Sequence, residues 1–202
     1  VPLSDDVSFE AGTFRLLATE ATAWVASSGV QKGDTVVILG QGVVGSLMLQ
    51  ILRGYGPAKI ITADVLPLRC RISKDLGADL VVNAAEEDPV KAVHRLTDGN
   101  GADLVVDCVG GHAGVKSFEQ AQDMVRRRGT IQLIALYQQA PLPLYSSKMM
   151  SKRLVAGILT DEPLSQTAFR ALEQIRSGGI QTSQMITHRF PYTQARKAFD
   201  FL

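Results

Sequence analysis

Cysteine is almost missing from this chain: Cys70 and Cys108 are the only two in 202 residues. Two thiols cannot build a disulfide framework or an all-thiolate zinc site, and they fit a reducing compartment, so the cytoplasm is the expected location. Histidine is as sparse. His94, His112 and His188 are far apart in sequence, with no closely spaced pair on one helix face, so no metal site within this chain alone is expected. Neither sign of charge dominates: 21 Lys and Arg against 20 Asp and Glu leave +1. That balance recommends neither nucleic acid nor an anionic membrane as a partner. Apolar runs are strand-sized, well short of the ~20 residues of a membrane span. Residues 1–30 carry no basic stretch followed by an apolar one, so no signal peptide is expected.

What is present is a globular α/β composition, with 46% hydrophobic residues, 18 Gly and 8 Pro. Thr35-Val36-Val37-Ile38-Leu39 is a continuous β-branched run, as suits a strand buried on both faces of a parallel sheet. Strands are predicted again at Lys59–Ala63, Leu80–Val82, Leu104–Cys108, Thr130–Leu136 and Leu154–Leu159. Helical spacing falls between them at Val43–Arg53, Pro67–Leu76, Pro89–Leu96 and about Ala113–Arg128, where Arg126-Arg127-Arg128 complements a helix end before Gly129. A helix over 7–28, capped by Asp5 or Asp6, precedes the first strand; helices over Pro163–Ser177 and Pro191–Leu202 close the chain. Gln138–Ser147 is predicted as a loop. Strands alternating with helices of this length predict a doubly wound α/β fold with a parallel six-stranded sheet, because parallel neighbours need a crossover. Residues 1–30 read as a helical lead-in, 31–160 as the sheet domain and 161–202 as a helical return segment. The helical pattern runs to the last residue with no stop signal, which suggests a fragment. Gly77–Asn83 and Gly101–Asp107 echo each other, read as a similar turn feeding two neighbouring strands.

Gly40-Gln41-Gly42-Val43-Val44-Gly45 has the spacing G-x-G-x-x-G between a buried strand and a helix. In that setting Gly40 permits the tight turn, Gly42 lets backbone approach a pyrophosphate, and Gly45 lets the helix pack closely. The free N–H groups and positive dipole end at Val43–Gly45 suit phosphate charge. The second half of such a fingerprint is an acid about 20 residues on, at the end of the second strand. Asp64 stands there, nineteen residues past Gly45. A carboxylate accepts both ribose hydroxyls and repels a 2′-phosphate, so NAD is expected over NADP. Arg69, five residues later, is the contrary hint. Cys108-Val109-Gly110 ends the fourth strand, at the edge where open α/β sheets bind ligands. Without a nearby Lys or Arg, Cys108 is read as packing rather than as a nucleophile. Trp24 reads as core and His188 as a surface histidine.

In order along the chain, Gly33 through Gly45, Asp64 through Arg69, Leu76–Asp79, Gly101–Gly110 and Arg128–Ala135 resemble the cofactor domain of medium-chain (zinc-type) alcohol dehydrogenases. Thr187–Pro191 and Ala195–Phe199 resemble the C-terminal return segment of that family's polyol and threonine dehydrogenases. The resemblance implies a Rossmann fold and an NAD-dependent oxidoreductase transferring hydride between an alcohol, a polyol or a carbonyl and nicotinamide. It assigns the glycine loop to the pyrophosphate, Asp64, Val65 and Arg69 to the adenosine ribose, and Cys108, Val109, Gly110, Ile134, Ala135 and Leu136 to the adenosine and nicotinamide sides. Thr19 would face the nicotinamide. The family's last catalytic-zinc ligand would fall at Arg15 or Leu16, neither of which binds zinc, with Glu20 serving only in a shifted register. This argues against zinc dependence and leaves the catalytic residues unassigned. The chain alone is expected to bind NAD without turnover, and a homodimer through the sheet edge is expected. A dinucleotide-sensing module and a SAM-dependent methyltransferase are the alternatives.

Overall fold

A computed structural model describes Leu3, residues 6–135 and residues 141–201. Two helices open it, α1 (Phe9–Gly12) and α2 (Arg15–Ser28), followed by β1 (Thr35–Leu39), α3 (Val43–Arg53), β2 (Lys59–Asp64), α4 (Pro67–Asp75) and β3 (Leu80–Asn83). Then come α5 (Pro89–Leu96), β4 (Ala102–Asp107), α6 (Gly114–Met124), β5 (Val125–Leu133), α7 (Ser146–Met149), β6 (Arg153–Ala156), α8 (Leu164–Arg176) and α9 (Ala195–Asp200). The six strands form one sheet in the order β3-β2-β1-β4-β5-β6, every pair parallel. The chain winds outward from β1 to β3, then returns to lay β4 beside β1 and winds the other way. That reversal opens a crevice beyond the carboxyl ends of β1 and β4, the place where doubly wound sheets take ligands.

The central strands β1, β2 and β4 are largely apolar and buried because both faces are covered. Val36, Ile38 and Ile60 point into one core with α2, α3 and α8; Val37, Leu39, Ile61 and Ala63 point into the other, with α5 and α6. Alternate residues of a strand face opposite sides, so a buried parallel strand reads as a continuous hydrophobic run. Leu47, Met48, Leu49 and Leu52 on α3 are fully buried, each contributing about 1.5–3 kcal/mol relative to exposure. Ala18, Ala21 and Val25 of α2 and Ala171, Ile175 and Ile180 from the return segment belong to the same core as β1.

Several boundaries differ from those the sequence predicts. The lead-in helix breaks at Thr13–Phe14, and the cap is Ser8, whose hydroxyl accepts from the Ala11 N–H at 3.1 Å; Asp5 lies outside the described residues. The helix expected to run to Arg128 stops at Met124. Val125 is buried and pairs with Ala102 as the first residue of β5, and a Cβ on Gly129 would lie 2.9 Å from the Asp103 carbonyl. Chain held close at both ends forces the three arginines into a bulge, and Arg126 pairs with Asp103. Strand β4 starts two residues earlier than predicted, β6 covers Arg153–Ala156 rather than 154–159, and the last helix is Ala195–Asp200 after a short turn. The two echoed segments feed β3 and β4, which are not neighbours but flank the β2–β1 pair. Their aspartates do the same work on either side: Asp79 Oδ2 accepts the Ile60 N–H and Asp103 Oδ2 the Thr35 N–H, at 2.7 and 2.8 Å.

Candidate functional site: a crevice over the glycine turn

At the end of β1 the chain turns through Gly40 at φ +82°, its N–H donating to the Ala63 carbonyl at 2.8 Å. A Cβ at Gly40 would meet Val109 Cγ2 at 2.9 Å, and one at Gly45 would lie 1.9 Å from the Gly40 carbonyl oxygen. The chain itself therefore requires glycine at both. Gly42 is different. Its φ is −70°, open to any residue, and a Cβ there would have nothing within 4 Å. Gly42 is also the N-cap of α3 and has no side chain to cap it, so the first-turn N–H groups lack intrahelical partners. Open volume, uncapped amides and a helix dipole of favourable sign together fit an anionic phosphate group.

Asp64 closes β2 and is 6% exposed. Its Oδ2 accepts the Gln41 N–H at 2.7 Å, its Oδ1 accepts the Leu66 N–H at 2.9 Å, and Arg69 Nη1 stands 3.8 Å from Oδ2. The carboxylate thus ties the end of β2 to the glycine turn, and each oxygen keeps acceptor capacity for a ligand hydroxyl. A crevice of about 670 Å³ opens here, and Gly40, Gly42, Asp64, Val65 and Arg69 line it together with Cys108, Val109 and Gly110. The remaining predicted residues among those described do not line it. Gln41 is buried, its Nε2 donating to the Gly40 carbonyl at 3.2 Å. Val43 and Gly45 begin α3 and Val44 packs on the core. Thr19 is buried within α2, its hydroxyl donating to the Arg15 carbonyl at 2.8 Å. The N–H groups of Ile134 and Ala135 donate to the Asp107 carbonyl at 3.1 and 3.2 Å, and Leu136 lies outside the described residues.

Burial and the adjacent Asp107 carboxylate push the Cys108 thiol well above its ordinary pKa, which removes the thiolate a nucleophile needs. Sequence reasoning missed the far wall: the loop Ala84–Pro89 after β3, and Lys116, Ser117 and Gln120 of α6. Topology was the available signal for the loop, since every strand's carboxyl end faces this side. Lys116 carried none. Asp107 was also missed; buried, its Oδ1 accepts from the Ser117 hydroxyl at 2.7 Å and the Val109 N–H at 3.2 Å, fixing the β4–α6 turn.

The described residues do not form a zinc site. Among the described residues no three His, Cys, Asp or Glu side chains converge. A ring nitrogen of His94 is 3.0 Å from the Asp123 carbonyl oxygen, and the His188 ring lies 4.3 Å from that of Phe201.

Strand order, glycine turn and buried acid define a dinucleotide-binding type of α/β domain. More specifically, the chain belongs to the zinc-binding dehydrogenase family, whose model matches residues 43–176. It is 29% identical over 201 residues to D-arabitol-phosphate dehydrogenase of Enterococcus avium, covering 98% of this chain and 56% of that protein. It is 27% identical over 175 residues to L-threonine 3-dehydrogenase of Bacillus licheniformis, covering 87% of this chain and 50% of the relative. Among solved structures, the alcohol dehydrogenase TADH from Thermus sp. ATN1 superposes with a TM-score of 0.86 at 26% identity, over 100% of this chain and 57% of that one. The chain spans about half the length of the curated relatives it matches.

Proposed function

We propose that this chain is the NAD(H)-binding portion of an alcohol or polyol dehydrogenase. The observation that carries the proposal is Gly42, a glycine that nothing inside the chain requires, at the uncapped start of α3 and beside a buried carboxylate. In this reading the first-turn amides of α3 hold the pyrophosphate, the Asp64 carboxylate accepts ribose hydroxyls, Arg69 flanks them, and Val65 and Val109 flank the adenosine. The bound dinucleotide supplies the carbon that accepts or donates hydride; the chain's own residues bind it, orient it and exclude water around it. The Asp64 carboxylate, already desolvated, disfavours a second anion, so NAD is preferred to NADP. Residues 31–160 form the binding unit, flanked by the lead-in and the return segment. The edge strand β6, where Leu154 is 39% exposed, pairs with that of a second copy, and the free thiols suit the cytoplasm. No residue of this chain is assigned as the acid/base group for the alcohol proton, and the chain alone is expected to turn over no alcohol.

Titrating the chain with NADH and NADPH tests this. Saturable NADH binding is expected, with NADPH weaker. NADPH binding tighter by about tenfold, roughly 1.4 kcal/mol, would reverse the reading of Asp64, and binding of neither would remove the proposal.

A further inference from the structure

The crevice uses the carboxyl ends of the strands, and the opposite end of the sheet carries a feature that cofactor binding does not employ. From Asp123 to Arg153 the sequence holds six Lys and Arg against one acid, in a chain whose total is only +1. Two of these cations are already paired. Arg126 is held by Asp103, and Lys148 Nζ lies 2.7 Å from Asp123 Oδ2 and 5.0 Å from the centre of the Tyr145 ring. Arg127 is exposed, and its guanidinium makes no hydrogen bond or ion pair among the described residues. The Lys152 ammonium is half-buried and donates to the Gln122 carbonyl at 2.8 Å. Burial pulls its pKa below the ordinary lysine value, Asp123 opposing and Lys148 adding to the fall.

Arg127, Lys148 and Lys152 line one groove of about 540 Å³ with Ser147, Ser151 and the single carboxylate of Asp123. The two segments that supply them are pinned together. Arg128 at φ +65° and Ser151 at φ +63° both adopt the left-handed conformation, and the Arg128 N–H donates to the Ser151 carbonyl at 2.8 Å. Side chains keep that conformation only where the surroundings enforce it, and such positions cluster at functional sites. The bulge bearing Arg127 is therefore fixed against the turn bearing Ser151 and Lys152.

We propose that this groove, formed by Arg127, Lys148, Lys152, Ser147 and Ser151, binds a phosphate dianion or a small phosphate monoester. Three cations against one carboxylate match a double negative charge. An arginine fork engages two phosphate oxygens at once, and the serine hydroxyls supply donors for a third. A nucleic acid would call for cations strung along a surface, whereas these converge on one groove.

The test is a titration of the full chain with inorganic phosphate at neutral pH and low salt, read by calorimetry and by amide chemical shifts. Saturable binding on the order of millimolar is expected, with shifts at Arg127, Ser151 and Lys152. The double variant Arg127→Ser, Lys152→Met should weaken phosphate binding at least about tenfold while leaving NADH affinity unchanged. Gly42→Ser should do the reverse, so this inference and the cofactor reading fail separately. Arg127→Ser alone alters only an exposed side chain and serves if the double variant does not fold. The proposal is overturned by shifts confined to Gly42–Gly45, by unchanged phosphate affinity in Arg127→Ser, or by tighter binding of short single-stranded DNA that grows with its length.

Discussion

Gly42 allows stability and ligand binding to be driven in opposite directions. It occupies the N-cap of α3 at φ −70° and ψ −166°, an extended conformation suited to a capping serine. The Oγ of Gly42→Ser would accept a first-turn N–H, a change worth a few tenths of a kcal/mol to the helix. The same Cβ and Oγ would fill the open space over the turn and occupy an amide that otherwise meets a phosphate oxygen. The free chain should therefore melt at the same temperature or about 1 °C higher, while NADH binds about tenfold more weakly, a loss of roughly 1.4 kcal/mol. Linkage makes both visible in one melting experiment. At an NADH concentration about 100-fold above the wild-type Kd, the ligand adds about 2.7 kcal/mol, which for a chain of this size raises Tm by about 5–10 °C. The variant at that concentration sits at only about ten times its own Kd and gains about 1.4 kcal/mol, half the shift. A variant whose NADH-induced shift equals that of the wild type would refute the argument that the space over Gly42 is reserved for the cofactor.

Gly45→Ala should behave oppositely, losing about 1–3 kcal/mol or more of stability, because its methyl would lie 1.9 Å from the Gly40 carbonyl oxygen; a Tm within about 2 °C of wild type would contradict this. Asp64→Asn replaces one accepting oxygen with a donor opposite a backbone N–H, so about 1–3 kcal/mol of stability should be lost and the NADH to NADPH affinity ratio should fall, read by denaturant melts and paired titrations. The Arg189 guanidinium, hydrogen-bonded to Glu10 at 2.7 and 2.9 Å, holds the Glu10 carboxyl below its ordinary pKa of 4.5. A depressed folded pKa gives a contribution that is full above the unfolded value and lost as pH falls through the folded one. The Tm gap between wild type and Glu10→Gln should therefore close on acidification below 4.5 and shrink in about 1 M salt. Cys108, although it lines the crevice, should be alkylated slowly at neutral pH, since its thiol pKa is pushed up; rapid labelling, followed by mass spectrometry, would contradict that.

The sheet was legible because its central strands β1, β2 and β4 are buried on both faces and helices α3, α4 and α5 are bracketed by Gly or Pro, signals that need no tertiary knowledge. The glycine turn and Asp64 were legible because their spacing reflects a local strand–turn–helix geometry. The β4–β5 bulge was not. Arg126-Arg127-Arg128 before a glycine looks like a helix end, and only the pairing of Ala102 with Val125 and the close approach of Gly129 to the Asp103 carbonyl turn it into strand. The far wall of the crevice was hidden for a similar reason: Lys116 and Gln120 join Asp64 only through the strand order, which no local pattern encodes. The echoed Gly-Ala-Asp segments suggested neighbouring strands, yet their aspartates anchor the Ile60 N–H of β2 and the Thr35 N–H of β1 from opposite flanks.

Asp64 shows why fold and site are not separable here. Its carboxylate accepts the Gln41 N–H from within the glycine turn and the Leu66 N–H from the chain leading into α4. A ribose hydroxyl would then meet an anion already oriented by two backbone donors, so little reorganisation accompanies binding. The bond to the Gln41 N–H also ties down the turn that exposes the α3 amides. Pyrophosphate and ribose subsites are thus coupled through one side chain, and loss of its acceptor oxygens should weaken ligand parts that never touch it. Gly42 is the complementary case, because its small size has no internal explanation. A residue that stabilises the empty protein and a residue that serves only the ligand meet at the same turn, Asp64 through its bond to the Gln41 N–H and Gly42 as part of the turn, and separate substitutions at Asp64 and Gly42 should distinguish their effects on stability and affinity.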